Sequence, residues 1–211
     1  MEVALSFPLT FKELAEMAPG EEIVRFPATF DEYWQLLEKA EYRADFYQNE
    51  IIAMSYETEI HTDIVTQVSH LLKLIFRHDA SVRVRGSNRP VCIPDCKYAV
   101  FNPDGSVISM PSKLYEYRPG MNAELTPLLL FEVLSPSTRS HDLGEKLPCY
   151  KKIPTLRHIV FIESQSMEVT VWERLESPGK WLEETFTDPD SGFALGEKKI
   201  TLREIYEVTM L

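Results

Sequence analysis

Three features of the amino-acid sequence predict a mixed α/β fold, of the α+β kind with helices around a mixed sheet. A long amphipathic helix over 58–78 carries Ile60, Ile64, Val68, Leu71, Leu72 and Ile75 in one apolar stripe of period three and four. The run Leu128-Leu-Leu-Phe-Glu-Val-Leu-Ser135 is nearly continuous in apolar residues, the pattern of a central strand buried on both faces. Several strand-like segments surround it, with one further helical segment among them.

The elements follow in order. Residues 1–28 read as an N-terminal extension, with a short helical stretch at Phe11–Met17, then Pro19-Gly20 and Pro27. The main body, 29–211, reads as one domain and opens at Thr29-Phe-Asp-Glu32. That is a capping-box pattern, followed by Tyr33, Trp34, Leu36 and Leu37 at helical spacing. Tyr42–Tyr47 and Glu50–Ser55 flank Gln48-Asn49, where Asn tolerates the left-handed conformation of a tight turn, so a β-hairpin is predicted. Strands are expected near 81–85, 93–101, 128–134, 157–163, 168–175 and 180–186. Residues 102–127, rich in Pro, Gly, Asn and Ser, read as a long irregular loop. A helix around 142–152 and a short one at Leu202–Val208 complete the prediction.

Composition narrows the function. With 44% hydrophobic and 26% charged residues, the 211-residue chain has a globular make-up. No stretch approaches the ~18 apolar residues of a membrane span, so no membrane role is expected. Residues Met1–Pro8 lack the basic flank and apolar length of a signal peptide. Three cysteines, Cys92, Cys96 and Cys149, are too few and odd in number for a disulfide framework, which points to a reducing, cytoplasmic setting. The 33 acidic and 22 basic side chains give a net charge of −11. Non-specific adhesion to nucleic acid is therefore not expected; such a partner needs a local basic surface, or a metal that offsets acidic groups. Arg83, Arg85 and Arg89, and then Lys151, Lys152 and Arg157, are the basic clusters available.

The chemistry centres on Glu132. A carboxylate within an apolar strand is costly unless a cation, metal or donor compensates it, and such groups concentrate at functional sites. Asp95, in Ile93-Pro94-Asp95, opens a predicted neighbouring strand. Two acids on adjacent strands are the minimal platform for Mg²⁺, which prefers oxygen ligands. Asp142, Lys146 and Tyr150 are spaced by four, so a helix presents all three on one face. Asp45 lies in the hairpin, and His61, at the start of the long helix, reads as a cap or packing residue ahead of a binding one. No zinc-finger spacing, P-loop, GxGxxG or GxSxG is present.

In this order, acidic hairpin, long helix, Pro-Asp strand, Phe131-Glu-Val-Leu-Ser-Pro-Ser-Thr138 and Asp-x3-Lys-x3-Tyr, the chain resembles the PD-(D/E)XK nuclease superfamily. More narrowly it resembles the Uma-two family of restriction-endonuclease-like proteins, over roughly residues 29–207. The resemblance implies a restriction-endonuclease-like core and a metal-dependent hydrolase of DNA. It implies Asp95 and Glu132 as metal ligands and Mg²⁺ as the ion, with Mn²⁺ as an alternative. It also implies a catalytic set of Asp95, Glu132, Lys146 and Asp45. The superfamily's usual lysine lies two residues beyond the glutamate, where this chain has Leu134; Lys146 on the following helix takes its place, with Lys97 as second choice. A homo-oligomer, in its simplest form a dimer, is the expected assembly. The alternatives are a non-catalytic binding protein on the same fold or a subunit of a defence or mobile-element system, and a hydrolase of small phosphate esters.

Overall fold

The computed structural model describes residues 7–54, 57–209 and 211; the expectation for the first residues of the chain, and Ser55 in the hairpin, lie outside these. The fold is the mixed α+β arrangement expected, built on two large sheets. The chain runs through α1 (Phe11–Met17), β1 (Ile23–Pro27), α2 (Phe30–Leu37), β2 (Ala44–Tyr47), β3 (Glu50–Met54) and α3 (Glu59–Phe76). It continues through β4 (Val82–Gly86), β5 (Val91–Ile93), a 3₁₀ turn (Pro94–Cys96), β6 (Ala99–Phe101) and β7 (Gly105–Ser109). Then come β8 (Leu114–Arg118), β9 (Met121–Glu124), β10 (Pro127–Leu134), α4 (Arg139–His141), a widened π turn (Asp142–Lys146) and α5 (Leu147–Tyr150). The last elements are β11 (His158–Glu163), β12 (Val169–Arg174), β13 (Trp181–Phe186), β14 (Gly192–Leu195), β15 (Lys198–Thr201) and α6 (Leu202–Tyr206).

The seven-stranded sheet has the order β1-β3-β2-β6-β5-β9-β8, and the six-stranded sheet the order β13-β12-β11-β10-β7-β4. Local chemistry explains the anchor points. Thr29 and Glu32 form the capping box that starts α2, which buries Tyr33, Trp34 and Leu36 against the first sheet. Gln48 and Asn49 both take positive φ, 51° and 62°, the requirement of a type I′ turn between β2 and β3. Thr58 caps α3, whose Ile64, Val68 and Leu72 enter a core with Val107, Leu129, Phe131 and Val133 of the second sheet. A third cluster joins Val91, Ile93 and Phe101 of the first sheet to Leu130, Leu134 and Ile159 of the second, with Cys149 and Tyr150 of α5.

Several expectations are corrected. The stretch read as an N-terminal extension contributes β1, an edge strand paired with β3 from Ile23↔Met54 to Pro27↔Glu50, and Leu14 and Phe26 are buried. The strand expected over 93–101 is broken by the 3₁₀ turn and by positive φ at Lys97 and Tyr98. The loop expected over 102–127 contains β7, β8 and β9. Of these, β7 is buried along almost its whole length and so shows no polar alternation in the sequence. A disulfide joins Cys96 to Cys149, tying the 3₁₀ turn to α5, so the cysteines are not all free thiols; Cys92 is, and burial pushes its pKa up to about 12. Among the described residues, no helix is long and apolar enough to cross a membrane.

Candidate active site at the junction of the sheets

Glu132 occupies the middle of β10, between β11 (parallel) and β7 (antiparallel), and is 2% exposed. On the pleat it shares a side with Leu130 and Leu134, the side covered by α5. Its Oε1 accepts from the Tyr150 hydroxyl at 2.6 Å and from Lys146 Nζ at 3.1 Å. Lys146 is itself buried and lies 2.9 Å from Asp142 Oδ1 and 3.5 Å from Asp45 Oδ2. The face predicted for Asp142, Lys146 and Tyr150 is thus turned inward, with the π turn and α5 carrying it across the Ser135–Ser140 loop. Pro148 falls in the first turn of α5, where its missing N–H costs little.

Asp95 is not part of this cluster. It sits exposed on the 3₁₀ turn, outside β5, because Pro94 starts the turn and leaves the strand two residues too early for a sheet position. The acid beside Glu132 is Asp104, in Asn102-Pro103-Asp104-Gly105, where the chain crosses from β6 of one sheet to β7 of the other. The Asp104 N–H donates to Glu132 Oε2 at 3.3 Å, and Asp104 Oδ2 accepts from the Val133 N–H at 2.8 Å. Gly105 makes this approach possible. A Cβ there would stand 2.2 Å from Cε1 of Phe131, its partner across the β7–β10 ladder. Asp104, and not Asp95, is therefore the acid that the fold brings next to Glu132.

Asp45 is fully buried one layer behind. It accepts from the Asn102 N–H at 2.7 Å and the Asn102 amide at 3.1 Å, and faces His141 Nε2 at 2.9 Å. Its contact with Glu132 runs through Lys146. His61 projects from the first turn of α3 with Nε2 3.1 Å from Asp104 Oδ2 and Nδ1 3.3 Å from Glu57 Oε2. Arg43 ion-pairs with Glu57 and, at 3.4 Å, with Asp104. Sequence reasoning missed Asp104, Glu57 and Arg43 and gave His61 a packing role. The one available signal was the second Pro-Asp pair, directly before a strand rather than inside a turn.

The electrostatics follow from burial opposed by pairing. Burial, together with Asp142 and Asp104, pushes Glu132 up to about 8, against the pull of Lys146 and Tyr150. Burial also works against Asp104 ionising, yet His61, Arg43 and Lys146 bring its pKa down to about 2. Asp45, likewise buried, is held below its ordinary value by Lys146, His141 and Asn102. Burial lowers the pKa of His61, but Asp104 and Glu57 more than reverse it, to about 10. Burial likewise opposes the charge of Lys146, and Asp142, Glu132 and Asp45 outweigh it, so the lysine stays charged.

Glu57, His61 and Asp104 place one ligand atom each within 4.8 Å of one another. The donor set fits a divalent ion on two counts. His61 Nδ1 is buried and, although 3.3 Å from Glu57 Oε2, makes no well-aligned hydrogen bond. The small chamber over the site is lined by five carboxylates, Glu22, Glu57, Asp104, Glu132 and Asp142, against the cations Arg43 and Lys146, and His61 would ligate only by giving up the proton that Asp104 and Glu57 hold on it.

Comparison with known proteins follows the geometry. Residues 30–197 match the model of the Uma2 family, described as "Putative restriction endonuclease". An uncharacterised protein of Synechocystis sp. is 27% identical over 158 residues, 72% of this chain and 76% of that protein. A crystal structure from Anabaena variabilis, described as "a putative nuclease belonging to DUF820", superposes with a TM-score of 0.63 at 16% identity. It covers 95% of this chain and 99% of that one.

Proposed function

Since the chain belongs to the Uma2 family of nuclease-like proteins, we propose that it is a divalent-metal-dependent phosphodiesterase acting on DNA. The observation that carries this reading is the seat of Asp104 directly before β7, its N–H donating to Glu132 Oε2 on the adjacent β10, backed by a buried, charged Lys146. Asp104 and Glu132, with His61 and Glu57 beside them, are the residues that would hold the ion. When bound, it would polarise a phosphodiester oxygen and lower the pKa of a neighbouring water.

The chain's own residues supply the rest. Lys146 carries a preorganised positive charge into a site closed to bulk water, where charge accumulating on phosphate oxygens is stabilised most. Asp142 and Asp45 keep that ammonium charged and aimed at Glu132. Tyr150 fixes the Glu132 carboxylate by donating to the oxygen that Lys146 also contacts. Asp45 is a positioning residue in this scheme, and Asp95 has no part in it. The relocated lysine thereby does from the helix what the position of Leu134 would otherwise supply. Leu134 itself is buried in the cluster that supports α5.

The test is a nicking and linearisation assay on supercoiled plasmid with Mg²⁺ or Mn²⁺. It compares wild type with Glu132→Gln and Asp104→Asn. Cleavage that needs the ion and is lost in both variants supports the reading. Cleavage that survives in both, or none under any ion, overturns it in favour of a binding protein on the same fold.

A further inference from the structure

The chamber over Glu132 is small, about 50 Å³, room for an ion and a few waters but not for a sugar ring. Against it lies a much larger cleft of about 570 Å³, and Arg43 and Glu57 line both. That volume falls within the ~300–1,000 Å³ of small-ligand sites. We propose that this outer cleft is a subsite for one unpaired nucleotide of single-stranded DNA, next to the bond to be cut; the proposal rests on the hydrolase reading above.

The lining matches the parts of a nucleotide. Phe11, Leu37 and Ala40 offer an apolar wall for a base, with Tyr42 set edge-on behind Phe11 at 6.1 Å. Ser87 and Asn88 add side chains that can donate or accept toward a sugar or base edge, and Asn102, whose amide nitrogen is engaged by Ala44 and Asp45, adds an acceptor. Arg43 is the cation of the cleft, and it stands on the boundary with the chamber. Its ion pairs with Glu57 and Asp104 use the terminal nitrogens, and among the described residues Nε has no hydrogen-bond partner. A phosphate at this boundary would meet a planar guanidinium suited to it.

Charge argues for a single strand over a duplex. Proteins that grip duplex DNA spread ~6–10 phosphate contacts over a broad basic face. Here most of the basic side chains of these clusters are engaged within the protein, and the exposed Lys152 and Arg157 do not line the cleft. Arg89 lies 2.9 Å, and Arg85 4.0 Å, from the buried Glu124. Arg83 donates to the carbonyls of Ala80 and Val82, and Lys151 lies over the Trp172 ring. Arg25, Arg118, Arg139 and Arg203 are each paired with a carboxylate. A single strand binds through base contacts with an apolar wall and needs fewer cations.

The test measures anisotropy of a fluorescein-labelled twelve-residue oligothymidylate and of a blunt duplex of the same length. It uses Glu132→Gln protein with Mn²⁺, so that nothing is cut. Two cleft-filling variants, Ala40→Trp and Ser87→Trp, sit on separate segments, so one remains informative if the other misfolds; Arg43→Gln is the third. The single strand should bind at least tenfold tighter than the duplex. Each tryptophan should weaken it tenfold or more, and Arg43→Gln should weaken it and lower the salt slope by about one. Equal affinity for duplex, or full single-strand affinity in both tryptophan variants, overturns the subsite. If plasmid cleavage by the otherwise wild-type tryptophan variants persists while that happens, the hydrolase reading stands alone. If no oligonucleotide binds and no Glu132-dependent cleavage is found, both fall.

Discussion

Lys146 Nζ lies 3.1 Å from Glu132 Oε1, across fourteen residues of sequence that include the hydroxyl-rich loop after β10. The pair is 3% and 2% exposed, so neither group has bulk water to fall back on. Asp142 and Asp45 complete the cation's surroundings, and Tyr150 and the Asp104 N–H complete those of the carboxylate. A network satisfied on all sides fixes geometry, and it makes the removal of any member expensive.

Replacing Lys146 will therefore not be a purely catalytic lesion. Lys146→Met should strand Glu132, Asp142 and Asp45 as buried acids without their cation, at a cost of about 3–5 kcal/mol. For a chain of this size that lowers the melting temperature by roughly 6–20 °C, at ~2–4 °C per kcal/mol. Calorimetry of the variant checks this. A melting temperature within a degree or two of wild type would mean that Lys146 is solvated and not held in the network.

The pH dependence of stability carries two signatures in metal-free protein. Glu132 titrates near 8 when folded and near 4.5 when unfolded. Its contribution is complete below the unfolded value and lost as pH rises through 8. His61 titrates near 10 when folded and 6.5 when unfolded, so its contribution is present below 6.5 and lost as pH rises through 10. Asp104 acts in the opposite sense, since its contribution is present above 3.8 and lost as pH falls through about 2. Thermal melts in chelator should then show wild-type stability falling between pH 5 and 10. Glu132→Gln should flatten the lower part of that fall and His61→Gln the upper part. Parallel curves for all three proteins would contradict the assignment.

The elements legible in the sequence were those whose pattern is set locally. The stripe of α3, the Gln48-Asn49 turn, the capping box of α2 and the apolar run of β10 all carry their own signal. So did Glu132, because a carboxylate in such a run needs an explanation, and Lys146, through its spacing from Asp142 and Tyr150. Asp104 was hidden because its role depends on a crossing between two sheets. A Pro-Asp-Gly string reads as a turn, and only the close approach of Gly105 to Phe131 makes it the start of a buried strand. Asp95 looked equally good in sequence, since both follow proline; the difference lies in the 3₁₀ turn that carries Asp95 to the surface. Arg43, Glu57 and His61 come together across the hairpin, α3 and the crossing, and no local spacing encodes that.

Gly105 should accordingly tolerate no side chain. An alanine Cβ would lie 2.2 Å and 2.5 Å from Cε1 and Cζ of Phe131, a ring with no exposure and nowhere to move. Gly105→Ala should cost about 1–3 kcal/mol through overpacking. It should also displace the adjacent Asp104 and reduce metal-dependent cleavage out of proportion to that loss. The double variant with Phe131→Leu, which opens space beside the new methyl group, should recover part of both. Wild-type stability and activity in Gly105→Ala would show that β7 does not pack against β10 as described.

The assignment of the acid partner is decided by metal titration. Mn²⁺ or Mg²⁺ should raise the melting temperature of wild type by mass action on the folded state, about 2.7 kcal/mol at a concentration one hundred times Kd. Asp104→Asn and His61→Ala should each lose most of that shift, because each removes a donor from the group that gathers within 4.8 Å. Asp95→Asn should keep it in full, since its carboxylate stands exposed on the turn after β5. Replacing Mg²⁺ with Mn²⁺ should enlarge the wild-type shift, and His61→Ala should narrow that difference, because the imidazole favours the transition metal. Loss of the shift in Asp95→Asn, with retention in Asp104→Asn, would restore the pairing first suggested by sequence. Loss in neither would place the ion away from this site altogether.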